Sequence, residues 1–139
     1  MRSAVFIGLM LLVGCTSTRT YSVVVRNDSL QPMTLWLTKD GPPAELGWLS
    51  PEQLDRSGLA KNWPTDELGK VVPPGKVAEL RPIEGHFDSG TSAVLRIYHG
   101  QLTFDHILAI SQGSPNRADM MLEPGDNRIR IDKDGNAFK

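Results

Sequence analysis

Cys15 is the only thiol in this chain, and it stands directly after an apolar run, residues 4–13. A thiolate attacks electrophilic carbon or sulfur, so a lone cysteine is a reactive centre, an attachment point or a packed core residue. It has no second cysteine in the chain with which to form a disulfide. Three histidines follow, His86, His99 and His106. His86, Asp88 and His106 together would offer two imidazoles and a carboxylate to a metal, but no short ligand spacing of the zinc type links them. The expectation is therefore no metal and no diffusible cofactor. His99 reads as a turn residue, His86 as a loop residue and His106 as a hydrogen-bonded histidine on an apolar face. Met120-Met121 offers two thioethers of the kind a soft copper site uses. Neighbouring strand residues point to opposite faces, however, so one of them must pack inward. Asp132-Lys133-Asp134-Gly135-Asn136 has the acidic spacing of a calcium loop but carries Gly at the fourth place, and no Glu follows, so it reads as a hairpin turn. Asp66-Glu67 reads as a solvated pair. There is no G-x-S-x-G elbow, and Ser, His and Asp make a triad only through geometry. The expectation is a protein without catalytic activity. The remaining candidates are aromatic: Trp48, Trp63 and Trp36. On an irregular insertion they would form a platform for a glycan, peptide or protein partner, or else cover one end of the fold as a satellite core.

The surroundings of Cys15 decide its chemistry. Arg2 gives a positive start, and the ten apolar residues after Ser3 are too few to span a bilayer, which takes about 20, yet suit a secretory leader. The run closes on Leu12-Val13-Gly14-Cys15. This sequence resembles the lipobox of bacterial lipoproteins: a leucine, two small or medium residues and an obligatory cysteine. The resemblance covers residues 1–15. It implies a diacylglyceryl thioether on Cys15, cleavage after Gly14, and acylation of the new amine. Residues 1–14 would then be a signal peptide and residues 15–20 a lipidated tether. Thr16 stands where an Asp would mark inner-membrane retention. The resemblance therefore places the protein on the periplasmic face of the outer membrane in a diderm host, or on the outer face of the membrane in a monoderm one. Two or more acyl chains hold a protein stably, at about 0.8 kcal/mol per buried methylene.

Without its leader the chain has 125 residues, one domain able to bury a core unaided. Fourteen basic against sixteen acidic side chains then remain, a formal net charge of −2. No basic stripe or cluster stands out, which excludes nucleic acid as a partner class and argues against electrostatic docking to anionic lipid. Attachment falls to the acyl chains. Ten prolines and thirteen glycines mark many turns and speak against a helical fold.

The elements that must position these residues read as strands. Residues 21–26 are β-branched and aromatic, and residues 33–39 alternate, with Leu35 and Leu37 on one face and Thr34, Trp36 and Thr38 on the other. Trp36 then points away from the main core or into a second layer. Residues 44–70 form an irregular insertion. Within it Ser50, Pro51 and Gln53 start a short helix that Gly58 ends. Residues 71–72 make a short edge strand, and residues 76–81 a further strand with Val77 inward. Residues 82–90 read as loop. In residues 92–110 a type I′ turn at His99-Gly100 would pair Ile97 with Leu102 and Leu95 with Phe104. It would set His106 and Leu108 on the inward face and Arg96 diagonal to Asp105. Residues 118–122, 128–132 and 137–138 complete the set, with Ile129 and Ile131 inward. Seven to eight short strands with frequent turns predict an all-β fold, an antiparallel β-sandwich over residues 21–139 with one short helix in its insertion. The Pro74-Gly75 and Pro124-Gly125 turns resemble those of immunoglobulin-like or transthyretin-like extracytoplasmic modules; the Cys…Trp…Cys pattern of true immunoglobulin domains is absent.

The functional expectation is a membrane-anchored envelope lipoprotein, a non-catalytic interaction or structural module that contacts an envelope protein partner through residues 44–70. The second expectation is a periplasmic carrier or sensor of carbohydrate or metal. An envelope hydrolase or its inhibitor is a third class with no motif behind it.

Overall fold

The computed structural model describes residues 15–62 and 69–139. Leu12, Val13, Gly14, Trp63, Asp66 and Glu67 lie outside them. Eight strands are present among the described residues: β1 (Ser17–Asn27), β2 (Met33–Lys39), β3 (Lys70–Val72), β4 (Val77–Phe87), β5 (Ala93–His99), β6 (Arg117–Met121), β7 (Gly125–Ile131) and β8 (Ala137–Phe138). They form two four-stranded sheets, ordered β4-β1-β7-β8 and β3-β2-β5-β6, which is the all-β sandwich expected. Every pairing is antiparallel except β1 with β7, which run parallel from Tyr21↔Gly125 to Asn27↔Ile131. The connections β1–β2, β3–β4, β4–β5 and β6–β7 all cross between sheets, so strands far apart in sequence become neighbours.

Alternation sets the core. Tyr21, Val23 and Val25 of β1, Leu35 of β2, Leu95 and Ile97 of β5, and Ile129 and Ile131 of β7 meet between the sheets. Removing each such side chain from water stabilises the fold by about 1.5–3 kcal/mol. The second sheet is covered on its outer face as well. There Trp36, Leu54, Tyr98 and Ile107 form a separate cluster. This is the second layer that the alternation in β2 anticipates, and its polar members are bonded into it. Thr34 Oγ1 donates to Gly100 O (2.7 Å), Trp36 Nε1 to Leu49 O (3.0 Å) and Thr38 Oγ1 to Trp48 O (2.8 Å).

The covering layer has two short helices, where one was expected. The first, α1 (Pro51–Ser57), has the anticipated capping box between Ser50 and Gln53 and ends at Gly58 with φ 72°. A 3-10 turn, Leu59–Asn62, follows it. The second, α2 (Phe104–Ala109), replaces the second strand of the expected hairpin. The reason lies in β5, a central strand whose edges are taken by β2 and β6, leaving none for residues 101–110. Locally, Thr103 caps the helix and Ile107 is buried against the outer face, with Leu102, Phe104 and Ile110 beside it. Consequently His106 is exposed rather than inward. Gly100, not His99, takes the positive φ (101°), and Arg96 pairs with Glu52 instead of Asp105.

β4 is far longer than residues 76–81. It runs through Pro82 because it is an edge strand with a bulge: Tyr21 faces Ile83 and Val23 faces Leu80, so Arg81 and Pro82 together oppose Ser22. Edge position and bulge are where a strand tolerates proline. The extra residue also switches the parity of the strand. Ala78 and Leu80 face inward before it, Ile83, Gly85 and Phe87 after it, and Val77 is exposed, contrary to the sequence expectation. β1 likewise starts at Ser17, so residues 17–20 are strand and not tether. At Gly85 an added Cβ would lie 2.6 Å from Nε1 and 2.8 Å from Cε2 of Trp48. Gly85→Ala is expected to destabilise the domain by about 1–3 kcal/mol through overpacking, measured as a drop in the urea midpoint at unchanged slope.

Candidate functional site

Cys15 is exposed. One residue, Thr16, separates it from β1, and its Oγ1 donates to Asp88 Oδ1 at 2.7 Å. Arg19 on β1 ties the neighbouring β4–β5 loop down, donating to Thr91 O at 2.9 Å with its guanidinium 5.3 Å from the Phe87 ring centre. Loop 40–44 is bonded to the same β4–β5 loop: Ser92 N donates to Asp40 Oδ1 (2.6 Å) and Asp88 N to Pro42 O (3.3 Å). Cys15 therefore sits at a laced end of the sandwich.

Beside that end lies a cluster that no motif announces. Trp48 is driven into the main core, 2% exposed, against Tyr21 and Phe87, with ring centres 5.8 and 5.3 Å away. Its indole N–H donates to Glu84 O at 3.0 Å. Lys39, at the end of β2, closes the cluster from above. Its ammonium is 4.8 Å from the Phe87 ring centre and 5.8 Å from that of Trp48, and its side chain is only 3% exposed. A cation this buried needs an anion. Glu45 supplies it at 2.6 Å, while Pro43 O and His86 O also accept from Nζ. Glu45 further accepts from His86 N (3.0 Å) and contacts His86 Nδ1 (2.9 Å). The Lys39 hydrogen bond foremost, and the His86 contacts against the opposing effect of desolvation, hold Glu45 down at about 2, from 4.5.

A second polar cluster sits on the outer face of the β2–β5 sheet. Arg96 Nη1 donates to both oxygens of Glu52 (3.0 and 2.8 Å), and Arg117 Nη1 lies 4.0 Å from Glu52 while pairing bidentately with Asp119. Burial pushes the Glu52 carboxyl up, but the Arg96 hydrogen bond and charge outweigh it and the net direction is down. Burial drives the Tyr98 hydroxyl, beside Arg96, upward. This cluster anchors α1 to the sheet.

The structure places the sequence candidates as follows. Trp36 and Trp48 are buried, so the platform reading is corrected for both: Trp36 belongs to the covering layer and Trp48 to the main core. Trp63 lies outside the described residues. His86 is bound to Glu45, Asp88 to Thr16, and His106 is exposed on α2. Among the described residues no group of three or more His, Cys, Asp and Glu is placed to hold a metal ion. Met120 packs on the core and Met121 faces out. Asp132 accepts from the backbone N–H groups of Asp134 and Asn136, which makes its segment the β7–β8 turn. An apolar cleft of about 230 Å³, lined by Leu35, Leu37, Leu49, Leu80 and Ile83 among others, opens where β3 stops short along β2. No protein family, curated protein or solved structure matches the chain.

The Glu45 contribution has a defined pH window. Its folded value of about 2 lies below its unfolded value of 4.5, so the stabilisation is complete above the unfolded value and is lost as pH falls through the folded one. Glu45→Gln is expected to cost about 1–3 kcal/mol at neutral pH, discounted for partial exposure, and to flatten the acid limb of a melting-temperature profile between those two values.

Proposed function

We propose that this protein is a lipid-anchored module of the bacterial cell envelope, held to a membrane through Cys15 and serving a non-catalytic interaction or structural role. The observation that carries this reading is the sequence Leu12-Val13-Gly14-Cys15 after a basic start and a ten-residue apolar run. The first strand begins at Ser17, two residues beyond Cys15, so the proposed attachment lies next to the sheet. A lone exposed thiol in an oxidising compartment would otherwise be open to mixed disulfides and oxidation; acylation removes it. Three acyl chains supply an attachment that needs no basic patch. In a diderm host the location is the periplasmic face of the outer membrane, and the partner is another envelope protein.

Cys15→Ala is expected to abolish processing after Gly14 and to move the protein out of the membrane fraction as a soluble or leader-bearing form. Intact mass of the wild-type protein should show the loss of residues 1–14 with the added diacylglyceryl and acyl groups. An unmodified thiol on the wild-type protein, or unchanged fractionation of the variant, would sink this function.

A further inference from the structure

The place of Cys15 on the fold fixes more than attachment. We propose that the anchor seats the sandwich end-on, with loops 40–46 and 88–92 against the phospholipid headgroups and the opposite end, loop 28–32 and the β7–β8 turn, held away from the bilayer. This orientation rests on the lipidation of Cys15 proposed above.

Three observations carry it. The first is the length of the link. A tether of six residues would let the domain tumble, but β1 starts at Ser17 and Thr16 is itself bonded to Asp88. The lipidated sulfur is therefore built into the end of the sandwich. β1 runs from that end for 11 residues, and at about 3.3 Å per residue its far end stands roughly 35 Å higher.

The second is the character of the near end. Of the carboxylates in these two loops, Asp88 accepts from Thr16 and Glu45 from Lys39 and His86 N, while Asp40 accepts from Ser92 N and stays exposed. The buried cation of this end, Lys39, is likewise spent. Beside that one acid, the exposed residues of the two loops are uncharged: Pro42, Ala44, Ser89 and Gly90, with Leu46 64% exposed. Such a surface sits against headgroups without demanding anionic lipid.

The third is the failure of the other seating. The outer face of the β4-β1-β7-β8 sheet carries Arg26, Arg128 and Arg130 and would be the alternative contact for an anionic membrane. Those arginines lie toward the far end. Arg26 and Arg130 each give Nε to Asp28 (2.8 and 2.6 Å). The half of that face nearest Cys15 instead presents Glu84 beside Thr20 and Asp126 beside Ser22. A side-on domain would press these acids onto the lipid phosphates.

The test uses the acylated protein in vesicles of phosphatidylethanolamine and phosphatidylglycerol carrying a headgroup nitroxide quencher. Because acylation consumes Cys15, an introduced cysteine is the only thiol open to a fluorophore. Ser89→Cys and Ala44→Cys report the near end, Arg128→Cys the sheet face and Asp134→Cys the far end. The near-end labels are expected to lose most of their fluorescence while the other two keep theirs. Quenching of the Arg128→Cys label equal to that at residue 89 would overturn the proposal in favour of side-on seating. No quenching at any site, in protein that floats with the vesicles, would overturn it in favour of a domain held off the surface. Protein that fails to float would instead refute the lipidation beneath it. Inserting about ten Gly/Ser residues between Thr16 and Ser17 supplies a flexible link. This is expected to bring near-end quenching down to the far-end level with flotation unchanged; undiminished quenching would show that the short link does not do the seating.

Discussion

The fold depends on getting Trp48 into the interior. The indole comes from an insertion, not from a strand, and it joins Tyr21 of β1 and Phe87 of β4 in a three-ring contact with centres 5.2–5.8 Å apart. That contact binds the insertion to the sheet it does not belong to. It also dictates its surroundings. Gly85 has no side chain because the indole occupies that space. The β4 bulge is what turns Gly85 and Phe87 inward. Lys39 lies over the rings, and burying it calls for Glu45 as counter-ion. The Tyr21 hydroxyl is buried with no hydrogen-bond partner among the described residues, a cost of about 1–3 kcal/mol that the gain from packing three aromatic rings offsets.

This arrangement makes the two ends of the sandwich unlike. The end that carries Cys15 is laced by Thr16–Asp88, Arg19–Thr91, Asp40–Ser92 and Lys39–Glu45–His86. The other end is built around Asn27, whose amide gives both protons to Gln31 O and Val72 O and whose carbonyl accepts from Ser29. Beyond that buried asparagine the surface carries Arg26, Arg130 and a Leu30 that is 91% exposed. If the proposed anchoring holds, this charged, partly apolar end is the one the module would present away from the membrane. The functional reading thus moves away from Trp36 and Trp48, which serve the interior, toward the strand that follows Cys15.

The sheets also differ in what covers them. In the β2–β5 sheet both faces are buried, one by the core and one by α1 and α2. Thr34 and Thr38 are polar residues on a buried face, and each is satisfied by a carbonyl of the covering chain. The other sheet leaves its outer face to water, and there the alternation is plain: Arg128 and Arg130 point out while Ile129 and Ile131 point in.

Local chemistry was enough to read much of this from the residues alone. The β-branched and aromatic run in β1, the β2 and β7 alternations, the capping box at Ser50 and Gln53, the stop at Gly58 and the turn at residues 132–136 each depend on neighbours within a few positions, where propensity and hydrogen bonding are decided. Tertiary structure alone decided what required knowing who lies alongside. Residues 102–110 alternate well enough for a strand, yet both edges of β5 were already filled from elsewhere in the chain, and Thr103 started a helix instead. Pro82 looked like the end of a strand until an edge position and a bulge made room for it. Trp48 read as part of an irregular insertion and Lys39 as the end of a strand, and nothing near them in sequence names Tyr21, Phe87 or Glu84. Long-range pairing assigns those neighbours, and a one-dimensional pattern carries no record of it.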